Sequence, residues 1–245
     1  MIPSEKAAAR ANLDVFLRDT DYGRRQRLVR INGFDTVWGR ADAAAFAMHP
    51  AVDGILVPKV NRVADLDAVA QVTPDKPLWA MMETSLAMLH AAEIAGHPAL
   101  RGMVMGTNDL TQDLGARARA DRLPLAAGLG LCLLAARVWR RVIIDGVFNS
   151  FRDTAGLAAE CEQGRDMGFD GKTLIHPDRV AVANRVFSPS ATELDLARRQ
   201  IESFAAAEAL GQGIAVLDGK IVENLHIVAA RALLEKARVI AAMQR

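Results

Sequence analysis

The fold is decided by GILVPKVNRVADLDAVAQVTPDKPLWAMMETSLAMLHAAEIAGHPALRGMVMGTNDL, residues 54–110. Three short apolar runs stand in it: GILVP (54–58), LWAMM (78–82) and GMVMG (102–106). Between the first two lies a helical pattern, Val63 to Val72, with Val63, Leu66, Val69 and Ala70 on one face; between the last two lies another, Leu86 to Ala95. Working outward, LVRI (28–31) precedes them and VIIDGVF (142–148) and KTLIHP (172–177) follow, with further helical patterns at Ala41 to Met48 and Ala155 to Met167. The first four runs start about 24 to 26 residues apart. Strands alternating with helices at this period must pair in parallel, because a parallel pair needs a crossover connection. Near-continuous apolar strands are those buried on both faces.

Two architectures fit, an open doubly wound sheet and a barrel. The open sheet would want a glycine-rich phosphate turn after an early strand, and Gly128-Leu-Gly130 follows no strand and lacks the third glycine. The expectation is therefore an α/β fold of the TIM (β/α)8 type, with six strands legible rather than eight. No strand precedes the first helical stretch, Ser4 to Leu17, which Ser4 caps after Pro3. The barrel is read over residues 1–186 and a C-terminal helical lid and oligomerisation segment over 187–245, with the break at Phe187-Ser-Pro-Ser190. Ser190 is placed as the N-cap of a helix from Glu193 to Leu210. The turn-rich GQGIAVLDGK (211–220) leads to a final helix from about Val222 to Met243.

Composition excludes several classes. Among 245 residues, 30 Lys+Arg oppose 29 Asp+Glu, so no net field draws in nucleic acid or an anionic membrane. With 51% hydrophobic residues, the chain is not disordered. Two cysteines, Cys132 and Cys161, form neither a disulfide framework nor a metal spacing. The run Leu123 to Ala136 is too short to span a bilayer, and the charged N-terminus is no signal peptide. A soluble cytoplasmic protein is expected.

Barrel chemistry lives at the C-terminal ends of strands. Those ends carry Arg30 and Asn32, Lys59, Glu83, the Thr107-Asn108-Asp109 run, Asp145 and His176. Glu83 and Asp109 fall on consecutive strands, where like charges repel unless a cation lies between them. A hard dication such as Mg2+ resolves this, and helix capping by the two acids is the plainer alternative. Arg30 within an apolar strand needs a partner: either a buried ion pair with a carboxylate such as Asp145, or a substrate carboxylate in the guanidinium fork. Lys59 and His176 read as strand-end residues. His49, His90, His97 and His226 share no ligand spacing, and no Ser-His-Asp or Cys-His arrangement is arguable.

VRINGFDTVWGRAD (29–42), GILVPKV (54–60), MMET (81–84), GTNDL (106–110), IDGVFNSFRD (144–153), GFDGKTLIHP (168–177) and LDGKIVENLH (217–226) resemble, in order, the citrate lyase beta subunit-like CoA-ester lyases, malyl-CoA lyases among them, of the HpcH/HpaI aldolase superfamily. The resemblance implies a Mg2+-dependent barrel with the metal on Glu83 and Asp109, which with Arg30 bind substrate. It makes Arg30 and Glu223 the catalytic residues, Glu223 acting from the lid of a neighbouring subunit; many relatives carry Asp there. It implies a carbon–carbon lyase performing reversible Claisen-type cleavage of a 3-hydroxyacyl-CoA to a shorter acyl-CoA and a 2-oxo acid, in a homotrimer or homohexamer. A citrate lyase beta subunit acting on an acyl-carrier-protein thioester, and a malyl-CoA thioesterase in which water reaches the acyl carbon, are the alternatives. A non-catalytic truncated paralogue is a third, because relatives open with two further strands before the segment that starts here. On that reading residues 1–245 are expected to expose two sheet edges and to fold poorly alone.

Overall fold

The structure is a computed structural model and describes residues 5–150 and 152–243. It contains two compact units, divided between Ala183 and Asn184.

The first unit is a six-stranded parallel sheet in strict sequence order, β1 (Leu28–Arg30), β2 (Gly54–Val57), β3 (Leu78–Met82), β4 (Leu100–Met105), β5 (Val142–Asp145) and β6 (Gly171–Lys172). Each expected run became a strand, although KTLIHP contributes only Lys172. Neighbour pairing with helical crossovers is the repeating unit of the (β/α)8 barrel. The helices are α1 (Lys6–Asp19), α2 (Gly39–Ala47), α3 (Val63–Ala70), α4 (Ser85–Leu89), α5 (Ala91–Ala95), α6 (Thr107–Asp113), α7 (Ala126–Val138), α8 (Thr154–Met167) and the start of α9 (Val180–Phe187). The expected cap Ser4 lies outside the described residues.

Strands with both faces covered should be apolar throughout, and every residue of β3 is buried. Successive side chains alternate between faces. Trp79, Met81 and Val104 pack with Leu28, Leu56 and Ile144 on one face. The intervening Ala80, Met82, Met103, Met105 and Ile143 are buried on the other, beneath the helices. Gly102 makes this possible, since a Cβ there would stand 2.3 Å from the Trp79 ring.

Two helices differ from expectation. The stretch read as one helix from Leu86 to Ala95 breaks at His90, whose Nδ1–H donates to the Asn61 carbonyl at 2.9 Å. Gly128 and Gly130 sit inside α7, which buries Leu129, Cys132, Leu133 and Ala136 at helical spacing.

The second unit packs α10 (Ala191–Ala209), the hairpin β7 (Ala215–Leu217) and β8 (Lys220–Val222), and α11 (Asn224–Met243). Its core is Ala207, Ala215, Val222 and Ile227, with Ile201, Phe204 and Leu217 against it. Ser190 caps α10 as expected: its Oγ accepts from Glu193 N–H at 3.2 Å, and Glu193 returns a bond to Ser190 N–H at 2.8 Å. Ser190→Ala is expected to remove about 1 kcal/mol from this unit. An unchanged urea midpoint would show that the box contributes nothing. Among the described residues, no helix is long and apolar enough to cross a membrane.

Candidate functional site

At the C-terminal ends of β1 to β4 the first unit holds a cavity of about 680 Å3. Its walls include Arg30, Asn32, Lys59, Glu83 and Asp109, with Lys6 and Arg10 reaching in from α1. The four strand-end residues singled out in the sequence as cations and acids therefore share one space.

Glu83 follows the row Trp79–Met81 off the end of β3 and is only 5% exposed. Its Oε1 accepts from the backbone N–H of Lys59 at 2.7 Å. Lys59 holds that N–H in place with a left-handed backbone, φ +51°. Gly106, ahead of α6, leaves room on the other side: a Cβ there would meet Glu83 Cβ at 2.3 Å and Oε2 at 2.6 Å. Burial pushes the Glu83 carboxyl above the ordinary glutamate range, and the nearby Asp109 charge pushes the same way. The Lys59 amide, Arg30 and the Lys59 ammonium oppose this without cancelling it. Capping is not what Glu83 does, because Thr84 caps α4 by accepting from Ala87 N–H at 3.1 Å. Asp109 lies in the first turn of α6.

A buried acid lifted by a second acid across one cavity is a pair that a dication relieves. Two carboxylates suit Mg2+, which otherwise keeps waters or substrate oxygens. The donor set therefore fits the ion, with Glu83 and Asp109 as the protein's share.

Arg30 does not pair with Asp145. Arg30 shares the sheet face of Leu28, whereas Asp145 follows Ile144 and so turns to the opposite face. The guanidinium of Arg30 is exposed to the cavity, with Nη1 3.9 Å from Met81 Sδ, and no ion pair engages it among the described residues. Next to it, Asn32 is fixed in orientation: its amide Nδ2 and backbone N–H donate to Asp42, and its Oδ1 accepts from Lys6. Arg10 also donates to Asp42, through Nε at 2.9 Å and Nη2 at 2.7 Å. Burial raises Asp42, but the Asn32 and Arg10 donors outweigh it and hold the carboxyl below its usual range.

Asp145 belongs to a buried network that the sequence did not reveal. Its Oδ1 and Oδ2 accept from Arg122 Nη1 at 2.7 and 2.8 Å, and Oδ2 from Lys172 Nζ at 3.0 Å. Lys172 also donates to Gly146 O at 2.7 Å and to Glu160.

Glu223 lies in the second unit, exposed between β8 and α11, its backbone N–H donating to His226 Nδ1 at 3.0 Å. His49, His97, His176 and His226 each accept from a backbone N–H two or three residues away and so serve local turns. Burial pushes the Cys132 thiol up to about 12 and raises Cys161 as well, so neither supplies a thiolate near neutral pH. The lining of the cavity contains no serine, cysteine or histidine among the described residues.

Comparison with known proteins adds identity to this geometry. The chain is 65% identical over 240 residues to a (3S)-malyl-CoA thioesterase of Cereibacter sphaeroides, covering 98% of this chain and 84% of that protein. It is 32% identical over 270 residues to the L-malyl-CoA/beta-methylmalyl-CoA lyase of Cereibacter sphaeroides, covering 98% and 85%. The crystal structure of CitE from Mycobacterium tuberculosis in complex with magnesium, acetoacetate and coenzyme A superposes with a TM-score of 0.82 at 29% identity, covering 97% of this chain and 86% of that one. These findings correct the expected carbon–carbon lyase and its 2-oxo acid. Relatives at 63–65% identity are named as thioesterases, which are hydrolases, while the lyase stands at half that identity. The model of the HpcH/HpaI aldolase/citrate lyase family matches residues 2–177, and the chain belongs to that family.

Proposed function

We propose that this enzyme hydrolyses (3S)-malyl-CoA, or a close 3-hydroxydicarboxyl-CoA, to the free hydroxy acid and CoA. The observation that carries the reading is the 65% identity to a (3S)-malyl-CoA thioesterase across 98% of the chain. Lyase and thioesterase can share a binding site and differ in the bond broken. A retro-Claisen step opens the C2–C3 bond of the acyl group, starting from its hydroxyl. Hydrolysis leaves that bond intact: water adds to the thioester carbon, the C–S bond breaks, and the CoA thiolate leaves and is protonated.

The cavity residues supply the parts. Arg30 is the clamp for the malyl carboxylate, its fork open to the cavity. Asn32, locked by Lys6 and Asp42, offers a fixed wall beside it. Glu83 and Asp109 would hold Mg2+, which when bound stabilises developing oxygen charge. Among the described residues the lining offers no serine or cysteine, and its one hydroxyl, Thr36 Oγ1, is engaged by Gly33 O and Gly39 N–H, which supports direct attack by water rather than an acyl-enzyme. Glu223, outside this cavity, keeps the proton-carrying role that the resemblance gives it from a neighbouring subunit, now for the attacking water rather than for a carbon acid.

The test is hydrolysis of (3S)-malyl-CoA in 18O-water with Mg2+ present. One 18O is expected in the released malate carboxylate, with free CoA in equal amount. Formation of acetyl-CoA and glyoxylate in place of malate would overturn the reading. Arg30→Lys keeps the charge and loses the fork, so kcat/KM should fall by roughly 10^2, about 2.7 kcal/mol. Glu223→Gln should lower kcat and leave KM near its original value. A drop below threefold in either variant removes that residue from the mechanism.

A further inference from the structure

A second cavity, of about 610 Å3, opens on the first unit between α6, the segment 114–122 and α8. The two cavities flank α6: Asp109 faces the first, while Thr107, Asn108 and Thr111 line the second. Its lining includes Arg122, 5% exposed, with a left-handed backbone at φ +51°. A residue with a Cβ adopts that conformation at a cost of order 1 kcal/mol or more, and only when its surroundings impose it. The guanidinium is held on two sides: Nε donates to Gln163 Oε1 at 2.7 Å and Nη1 to Asp145. The third nitrogen, Nη2, has no partner, and it is the one buried side-chain polar atom without one among the described residues. An unmet buried donor costs about 1–3 kcal/mol, more on a charged group.

We infer that this cavity is a binding site for an oxyanion, a carboxylate or a phosphate, with Arg122 Nη2 as its buried donor. Charge supports an anion. Within the network Arg122 and Lys172 are balanced by Asp145 and Glu160. At the rim Arg119 is balanced by Asp121, whose carboxyl it draws down to about 2. Arg117 also lines the cavity and has no ion pair among the described residues, which leaves a cation for a ligand. The volume lies in the range of sites for small organic ligands. Phe148, Pro124 and Leu125 provide an apolar wall on which the body of an organic anion packs. Gln163 is itself fixed, its amide donating to the Asp121 carbonyl at 2.7 Å, so it holds the guanidinium without swinging round to satisfy Nη2.

The two sources of such an anion, a free carboxylic acid and the phosphate of a nucleotide-bearing ligand, separate in one experiment. Calorimetry on the full chain uses inorganic phosphate, malate and CoA as probes, with competition between them. At least one probe is expected to bind saturably, and Arg122→Lys and Arg117→Ala should each weaken it tenfold or more. Ala159→Phe, which fills the cavity from α8 without touching the network, should do the same and guards against a folding defect in Arg122→Lys. Binding by phosphate and CoA in competition assigns the phosphate source; binding by malate assigns the carboxylate. The titrations are run in the Arg30→Lys background, where malate binding in the first cavity is already weakened; the binding that remains and is lost in Arg117→Ala or Ala159→Phe belongs to this cavity, which keeps the result separate from the thioesterase reading. Absence of binding by every probe at 10 mM in that background, or residual binding unchanged in both Arg117→Ala and Ala159→Phe, overturns the proposal.

Discussion

Glu83→Gln is expected to lower kcat/KM for (3S)-malyl-CoA by about 10^3, roughly 4 kcal/mol of transition-state stabilisation. The substitution keeps the side chain's shape, and the amide oxygen can still accept from Lys59 N–H, so the loss isolates the charge. Removing a buried charge that is already disfavoured should leave the melting temperature of the metal-free protein unchanged or raise it. The pH dependence follows from the same group. The folded-state pKa of Glu83 is raised, so its contribution to metal-free stability is full at low pH and declines as pH rises through that raised value. Mg2+ affinity runs the other way, because the ion needs the carboxylate. Titrating with Mg2+ across pH should therefore show affinity rising through a midpoint above that of an ordinary glutamate, and Glu83→Gln should remove that midpoint. Activity within threefold of the unsubstituted enzyme, with an unaltered Mg2+ requirement, would exclude Glu83 as a ligand.

Much of the fold could be read because its signal is local. Each buried parallel strand advertises itself as an apolar run, and the 24–26-residue spacing dictates the crossovers. Ser190 and Glu193 form a capping box inside four residues. The helix α7 was not legible as a helix, because Leu131, Leu134 and Val138 leave its exposed side nearly as apolar as its buried one, so no 3.6-residue contrast exists. The site divides the same way. Glu83, Asp109, Arg30 and Lys59 fall at strand ends in the sequence, where a barrel concentrates its polar residues, and the structure sets all four around one cavity. Arg122 was not legible in this way, since its partners Asp145 and Gln163 are 23 and 41 residues distant and reached through an irregular segment. Of the two partners open to Arg30, the Asp145 ion pair could not be dismissed in the sequence, because a strand's sequence shows alternation but not which face each strand turns inward. The hydrolase rather than lyase reading was beyond the motifs altogether: both activities can use one carboxylate clamp and one acid pair, and the choice rests on where water reaches.

Lys172→Met should destabilise the first unit by about 3–5 kcal/mol, the range for removing one member of a buried ionic cluster. Lys172 and Asp145 are register partners on β6 and β5, and both side chains are wholly buried. Strand β6 is only two residues long, so its ladder offers few backbone bonds, and the ammonium takes over part of their task. It joins Asp145 on β5, the Gly146 carbonyl just beyond and Glu160 on α8, tying three segments to one point. A methionine fills similar volume but leaves Glu160 with only Arg122 Nη1, 3.9 Å away, and takes one of two cations from Asp145. For a unit of this size the melting temperature should drop by roughly 10 °C. The double variant Lys172→Met/Glu160→Gln removes one charge of each sign and should recover part of the loss, with a coupling of about 1 kcal/mol or more. Arg30→Lys, altering an exposed guanidinium outside the network, should leave the melt where it was. A Lys172→Met melt within 2 °C of the original, or a double variant as unstable as the two single losses added, would mean that the cluster is held by its surroundings rather than holding them.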